Sequence, residues 1–344
     1  MADGRYAMLE APKRFAIGRG EVAPPGEGEV RLRVHDVGVC GSDLKMWAGT
    51  HAFLRPPLLI GHEVYGTIEE LGSGMVDGVT EGTEVVVFPP VGCGACFHCR
   101  SGRPQLCAEM RFVGGQIPGG LADHLVVPEA NVIVVPDAVP RHERVLVEPL
   151  AVGVHAVRRS ALEPSELVVV VGAGAIGLFT ALAARERGAG KVLVAELSPA
   201  RRARAETLGL ETFDPSVVSV EDAVAEQLRR EGADVVFECV GSEETIRTAL
   251  ASTRNGGRAV AVGNAPARVT IDGLALQRGE RALVGVLMYD RGDLLEGIEL
   301  LARGLLAALP ESDAVQVFEL EQVGEAFAAA KEGTLEAVRA VVRP

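Results

Sequence analysis

The stretch from residue 167 to 187 constrains the fold more tightly than any other part of the chain. Leu167 is followed by four consecutive valines, then by Gly172-Ala173-Gly174-Ala175-Ile176-Gly177, then by a helix-forming run that ends near Arg187. β-branched residues favour extended backbone, and glycines directly after them permit a sharp turn. The uncharged residues 167–184 are long enough to imitate a membrane span. The glycines at 172, 174 and 177 make strand, turn and helix the better reading. Similar apolar runs follow at 191–196, 234–239, 257–263 and 282–287, with a second helical run at 199–208. Strands that are apolar on both faces and alternate with helices predict a parallel sheet covered on both sides.

The glycine pattern carries chemistry. The first glycine makes the turn, the second lets backbone approach a pyrophosphate, and the third allows close packing of helix on strand. Unpaired N–H groups at the helix start then face the phosphates. Glu196 ends the next strand, where a carboxylate can accept hydrogen bonds from ribose hydroxyls and repel a 2′-phosphate. That favours NAD, although Arg201 and Arg202 stand close enough in sequence to accommodate a phosphate.

The first 150 residues have a different texture. Short alternating runs such as 30–34, 63–69 and 84–88 are separated by Pro24-Pro25-Gly26 and Gly72-Ser73-Gly74, which predicts a β-rich unit. The chain therefore reads as three segments: 1–152 β-rich, 153–290 α/β, and 291–344 returning to complete the first unit. A length of 344 residues suits two domains. Acidic residues outnumber basic ones by 47 to 34, a net charge of −13, which argues against nucleic acid as a partner. The charged residues 1–15 lack the apolar core of a signal peptide, so a cytoplasmic protein without membrane attachment is expected.

Four of the six cysteines crowd together at Cys93, Cys96, Cys99 and Cys107. Four thiolates at such spacings can close a tetrahedral shell around Zn²⁺ with no open position, a structural site. Iron–sulfur ligation draws on the same soft donors. A third set, Cys40, His62-Glu63 and Glu148, is scattered, and no spacing links its members. Polar residues in apolar surroundings, as at Glu148 between Val147 and Pro149, call for a partner. Cys239, in an apolar run, reads as a buried core thiol.

Taken in order, Val39-Cys40-Gly41-Ser42-Asp43, Gly61-His62-Glu63, the cysteine cluster, residues 112–136, Leu146-Val147-Glu148-Pro149 and the glycine fingerprint closely resemble the medium-chain, zinc-dependent alcohol and polyol dehydrogenases. The likeness runs from about Met8 to the C-terminus. It implies a GroES-like β-rich catalytic domain joined to a Rossmann domain that binds NAD, with two Zn²⁺ per chain. Cys40, His62 and Glu148 would hold the catalytic zinc, and Glu63 would be a transient ligand or a partner just outside the ligand set. An acid in place of a second catalytic cysteine resembles the sorbitol, threonine and butanediol branch. Bound zinc acidifies an alcohol, and hydride passes to the nicotinamide. Ser42 would take the hydroxyl proton first. Val262, Gly263, Leu287, Gly172, Gly174, Ile176, Gly177, Glu196 and Arg201 would contact the cofactor.

The sequence also departs from its likeness. Lys45 stands where relatives commonly have a histidine, which alters the usual proton exit and suits an acidic substrate. Met46 and Met288 stand where sorbitol dehydrogenases have tyrosine and arginine, so sorbitol itself is not expected. Tyr289 remains to bind a hydroxyl, and Met46, Trp47 and Phe53 would make part of the pocket apolar. The resulting expectation is oxidation of a secondary alcohol on a polyol, cyclitol or sugar acid by NAD, in a homodimer or homotetramer. L-threonine and 2,3-butanediol are the alternative substrates. A non-catalytic NAD-binding sensor or structural protein is the alternative of another class.

Overall fold

A computed structural model describes residues 2–74, 78–229 and 231–344. The chain divides into two units. One comprises 1–148, 290–304 and 310–344, and the other 149–289 and 305–309.

In the first unit a seven-stranded sheet runs in the order Val315–Glu319, Arg339–Arg343, Glu29–Gly38, Glu63–Leu71, Glu84–Val87 and Val132–Val134, with His124–Pro128 also paired to Glu29–Gly38. The last strand of the chain, Arg339–Arg343, thus lies inside the sheet of the first unit. It is antiparallel to Glu29–Gly38, with Val341 opposite Gly38. Glu29–Gly38 alternates largely as the sequence predicts. Val30, Leu32, Val34 and Val37 enter a core with Leu9, Ile60, Val64, Val85 and Phe327. The N-terminal hairpin Ala2–Ala11 with Arg14–Val22 forms a separate two-stranded sheet that the sequence reading did not mark.

In the second unit six strands run in the order Glu211–Phe213, Lys191–Ala195, Leu167–Val171, Ala233–Glu238, Thr253–Ala261 and Ala282–Gly285. All five pairings are parallel. Numbered along the chain this is the order 3-2-1-4-5-6 of a dinucleotide-binding sheet. The valines of Leu167–Val171 are buried on both faces, as an interior parallel strand requires. The helix after them is Ala175–Glu186, and its glycine-rich N-terminus lies where the sequence puts it. Among the described residues no helix is long and apolar enough to cross a membrane, so the uncharged run at 167–184 is strand, turn and helix.

Candidate active site

Cys40 is distant in sequence from the adjacent pair His62 and Glu63, and two paired strands bring them together. Glu29–Gly38 ends just before Cys40, Glu63–Leu71 begins just after His62, and Gly38 lies opposite Glu63 in the antiparallel register. One ligand atom from each of Cys40, His62 and Glu63 lies within 4.8 Å of the others. Cys40 caps the short helix Gly41–Trp47. The backbone N–H of Cys40 donates to Asp43 Oδ2 at 3.0 Å, and Asp43 is fully buried.

Asp43 faces His62 with its other oxygen. Asp43 Oδ1 and His62 Nδ1 are 3.3 Å apart, both buried, and neither has another hydrogen-bond partner. Burial opposes a charge on His62, but the carboxylate of Asp43 and the thiolate of Cys40 outweigh it and hold the imidazole pKa well above its ordinary value. An imidazole engaged through Nδ1 presents Nε2 to a metal, and a carboxylate behind it raises its basicity. A thiol, an imidazole and nearby carboxylates form the donor set that Zn²⁺ takes in open, catalytic sites. The residues therefore fit the metal. Asp43 was not singled out from sequence. A short acid at the third position of a helix that follows a candidate ligand was the available signal.

Glu63 is held differently. Arg339, on the C-terminal strand, donates Nε to Glu63 Oε2 at 2.7 Å and pairs Nη2 with Oε1. Both groups are buried. Burial disfavours the charge on Arg339, yet Glu63, Cys40 and Glu148 together hold it firmly protonated. A Cβ at Gly38 would lie 2.0 Å from Glu63 Oε2, so glycine there makes room for the pair. With both oxygens engaged by a forked guanidinium, Glu63 is anchored beside the ligand set. Glu148 is buried and close enough to act on Arg339, but it is not in the 4.8 Å set. Arg339 was missed because it lies 276 residues from Glu63 and nothing local distinguishes it.

Ser42 and Lys45 both sit on Gly41–Trp47 and are half-buried. The Lys45 carbonyl accepts from the N–H groups of Thr50 and His51, which folds the following loop back on the helix. Burial lowers the pKa of His51, and the charges of Arg55 and Lys45 lower it further. Three expectations change here. Met46 and Trp47 pack into the core of the first unit, with Trp47 against Phe327 at 6.1 Å, so they do not line a pocket. Phe53 is 86% exposed. Tyr289 is fully buried, which removes it as a solvent-facing hydroxyl binder.

The cysteine lobe needs only one segment. One sulfur from each of Cys93, Cys96, Cys99 and Cys107 lies within 4.8 Å of the others. Positive φ at Gly94 and Gly102 allows the turns, and a Cβ at Gly92 would meet the Cys99 sulfur at 2.4 Å. The N–H of Cys99 donates to Cys96 and holds its thiol down to about 7, whereas burial and the neighbouring thiols push Cys99 up to about 12. Four closely set thiols cannot all ionise without a cation, and a tetrahedral thiolate shell supplies Zn²⁺ with all its ligands. Cys239 is a separate, half-buried thiol, less enclosed than the buried core thiol the sequence suggested, and desolvation pushes it up to about 12.

In the second unit Gly172 has φ of +94°, and a Cβ on Gly177 would lie 1.8 Å from the Gly172 carbonyl oxygen. At Gly174 a Cβ would meet nothing within 4 Å, which leaves the turn open on the side a pyrophosphate occupies. Ile176 is part-exposed on the first turn. Glu196 is buried, and its carboxylate accepts from the N–H of Ala173 at 2.6 Å and of Ser198 at 2.8 Å. It is thereby tied to the glycine turn, with lone pairs left for a ribose hydroxyl. Arg201 reaches within 3.9 Å of Glu196 and remains partly exposed. Arg202 is engaged by the Glu196 and Leu197 carbonyls and by Asp214. The N–H groups of Val262 and Gly263 both donate to the Glu238 carbonyl, and Leu287 is 51% exposed.

Comparison with known proteins agrees with both units. Residues 26–137 match the alcohol dehydrogenase GroES-like domain, and residues 175–303 match the zinc-binding dehydrogenase domain. The chain is 33% identical over 309 residues to L-galactonate-5-dehydrogenase of Escherichia coli (strain K12), covering 90% of each chain. It is 34% identical to L-idonate 5-dehydrogenase of Vitis vinifera over 90% of this chain and 86% of that one. Among solved structures, a zinc-binding dehydrogenase from Sinorhizobium meliloti 1021 bound to NADP superposes with a TM-score of 0.90 at 27% identity, covering 100% of both chains.

Proposed function

The chain belongs to the zinc-dependent medium-chain alcohol and polyol dehydrogenase family, and within it we propose that it oxidises a secondary hydroxyl of a sugar acid or polyol, passing hydride to NAD. The observation that carries this reading is the convergence of Cys40, His62 and Glu63 within 4.8 Å, backed by Asp43 and Arg339. Cys40, His62 and Glu148 would hold zinc, which when bound lowers the pKa of the substrate hydroxyl toward neutrality. Asp43 orients His62, and Arg339 keeps Glu63 beside the site as a poised fourth ligand. Ser42 accepts the hydroxyl proton. The glycine turn at 172–177 binds the pyrophosphate, and Glu196 accepts from the adenosine ribose. Val262, Gly263 and Leu287 complete the contacts to the cofactor. Arg201 lessens discrimination against a 2′-phosphate, so NADP binds more weakly than NAD but measurably. The four-cysteine lobe holds a second, structural zinc.

Lys45 gives the substrate preference its direction. An ammonium five residues after Cys40, half-buried on the same short helix, favours a substrate carboxylate over a neutral polyol. The relatives named for galactonate and idonate support the sugar-acid side of that choice. We place the enzyme in the cytoplasm as a homodimer or homotetramer. The terminal strand Ala282–Gly285 of the six-stranded sheet, with Leu283 40% exposed, supports association through that edge.

The test is an NAD-reduction screen over aldonic acids, the matching neutral alditols, cyclitols, 2,3-butanediol and threonine. One aldonate is expected to stand out, and Lys45→Met should erase most of its advantage over the neutral alditol. Equal turnover of the acid and its alditol by the unmodified enzyme would remove the carboxylate preference. No turnover of any alcohol by zinc-replete protein would remove the dehydrogenase reading.

A further inference from the structure

Cys40, His62 and Glu63 owe their placement to strand pairing, because Gly38 and Glu63 lie opposite each other. Glu148 belongs to no strand. It stands in a run that is helical from Arg141, first as the 3₁₀ turn Arg141–Leu146 and then as the helix Val147–Arg159. Something outside the sheet register must fix that run against the strand that carries Glu63. The buried side chains of Val145, Leu146 and Val147 hold it in the core, but apolar packing has no direction.

Arg144 supplies the direction. It precedes Glu148 by about one helical turn. Its buried guanidinium donates Nη1 to the Tyr65 hydroxyl at 3.1 Å, pairs with Glu84 Oε2, and donates Nε to the Val139 carbonyl at 3.1 Å. Tyr65 is fully buried and donates its hydroxyl to Glu84 Oε1 at 2.5 Å. The guanidinium groups of Arg144 and Arg141 lie 5.5 Å and 5.7 Å from the centre of its ring. Tyr65 is two residues after Glu63 on the same strand, and so on the same face. Glu84 stands on the neighbouring strand opposite Thr67. A closed set of directional bonds therefore runs from the strand of Glu63 to the turn that delivers Glu148.

We propose that Arg144, held by Tyr65 and Glu84, is a positioning residue that sets Glu148 against Cys40 and His62, so that the catalytic metal site is assembled by a part-buried ion pair none of whose members is a ligand. A planar fork with three fixed acceptors specifies orientation, which a flexible ammonium does not. This rests on the zinc-dehydrogenase reading.

The experiment compares the full-length protein with Tyr65→Phe, Arg144→Met and Arg144→Lys. Metal per chain is measured against a graded chelator, and the visible spectrum is recorded after cobalt(II) replacement. The site with one thiolate and the site with four give distinguishable bands. Arg144→Met is expected to release the one-thiolate metal at about 10- to 100-fold lower chelator strength while the four-thiolate bands persist. kcat should fall with KM little changed. Arg144→Lys should recover part of the loss, and Tyr65→Phe, which deletes one hydroxyl, should show a smaller shift of the same kind even if Arg144→Met fails to fold. Unchanged metal release and an unchanged cobalt spectrum in folded Arg144→Met and Tyr65→Phe would overturn the inference alone, as would parallel loss from both sites. Unmodified protein that binds metal only at the four cysteines would overturn the zinc-dehydrogenase reading and this inference with it.

Discussion

The two candidate metal-binding regions of the first unit are built on opposite principles. The lobe draws four identical donors from the fifteen residues between Cys93 and Cys107 and fixes them with its own turns. The other region gathers unlike donors from Cys40, His62 and Glu63, and the groups that hold them come from places as distant as Asp43 and Arg339. A closed shell of four thiolates asks only that the metal stay. A site that leaves a ligand position open must hold fewer donors in place without help from the substrate, so it recruits buried carboxylates and guanidinium groups behind them. Chemistry is expected to depend on the scattered region, and stability on the compact one.

The largest expected effect tests the scattered region. Cys40→Ser should lower kcat/KM by about three orders of magnitude, the counterpart of about 4 kcal/mol of lost charge stabilisation. Dissociation constants for NAD, read by fluorescence titration, should stay within about twofold, because Gly172, Gly174 and Glu196 belong to the other unit. Normal turnover in this variant would dissolve the contrast, since catalysis would then not require the donors that converge there.

That contrast also explains what could be read from sequence. The lobe was legible because its spacing is its geometry. The α/β unit was legible because the valines of Leu167–Val171 and the glycines after them state both the strand and the turn. The strand order 3-2-1-4-5-6 was not read from the sequence, which predicted only a parallel sheet covered on both faces. Cys40, His62 and Glu148 were assigned as ligands by likeness to a family and not by pattern; Cys40 and His62 are brought together by strand pairing, which leaves no local mark, and Glu148 lies outside the 4.8 Å set. Arg339 had no signal at all, since its significance depends on the C-terminal strand pairing with Glu29–Gly38. Met46 and Trp47 were misread as pocket residues because an apolar residue beside a ligand looks the same whether it lines a site or fills the core beneath it. Tyr289 was misread for a related reason: a hydroxyl in the sequence does not reveal its own burial.

The compact region gives the second effect. Cys96→Ser should lower the melting temperature by about 6–12 °C, from roughly 3 kcal/mol of lost metal-linked stability at about 2–4 °C per kcal/mol. Turnover per folded, zinc-loaded molecule should change less than about threefold. The two variants together form a crossed test, with Cys40→Ser acting on rate and Cys96→Ser on stability. A Cys96→Ser protein with undiminished melting temperature would show that the lobe does not hold a structural metal.

The smallest effect concerns the polar scaffold that only the scattered region needs. Glu143 precedes Arg144, is 3% exposed, and has one buried oxygen with no hydrogen-bond partner. Burial pushes its carboxyl up to about 7. The folded protein thus holds a proton on Glu143 that the unfolded chain releases near pH 4.5. Its contribution to stability is complete below the unfolded value and is lost as pH rises through about 7. In Glu143→Gln this loss disappears. The difference in melting temperature, variant minus unmodified protein, should grow between pH 4.5 and 7 and level off above it. Gln leaves a buried amide without a partner, so the variant can be the less stable protein at pH 5, and the evidence lies in the slope with pH and not in the sign at any one value. A flat difference from pH 5 to 8 would mean that Glu143 ionises as freely as a surface acid. The lobe offers the control, because Cys96→Ser saturated with zinc should show no such slope from Glu143 beyond that of the unmodified chain.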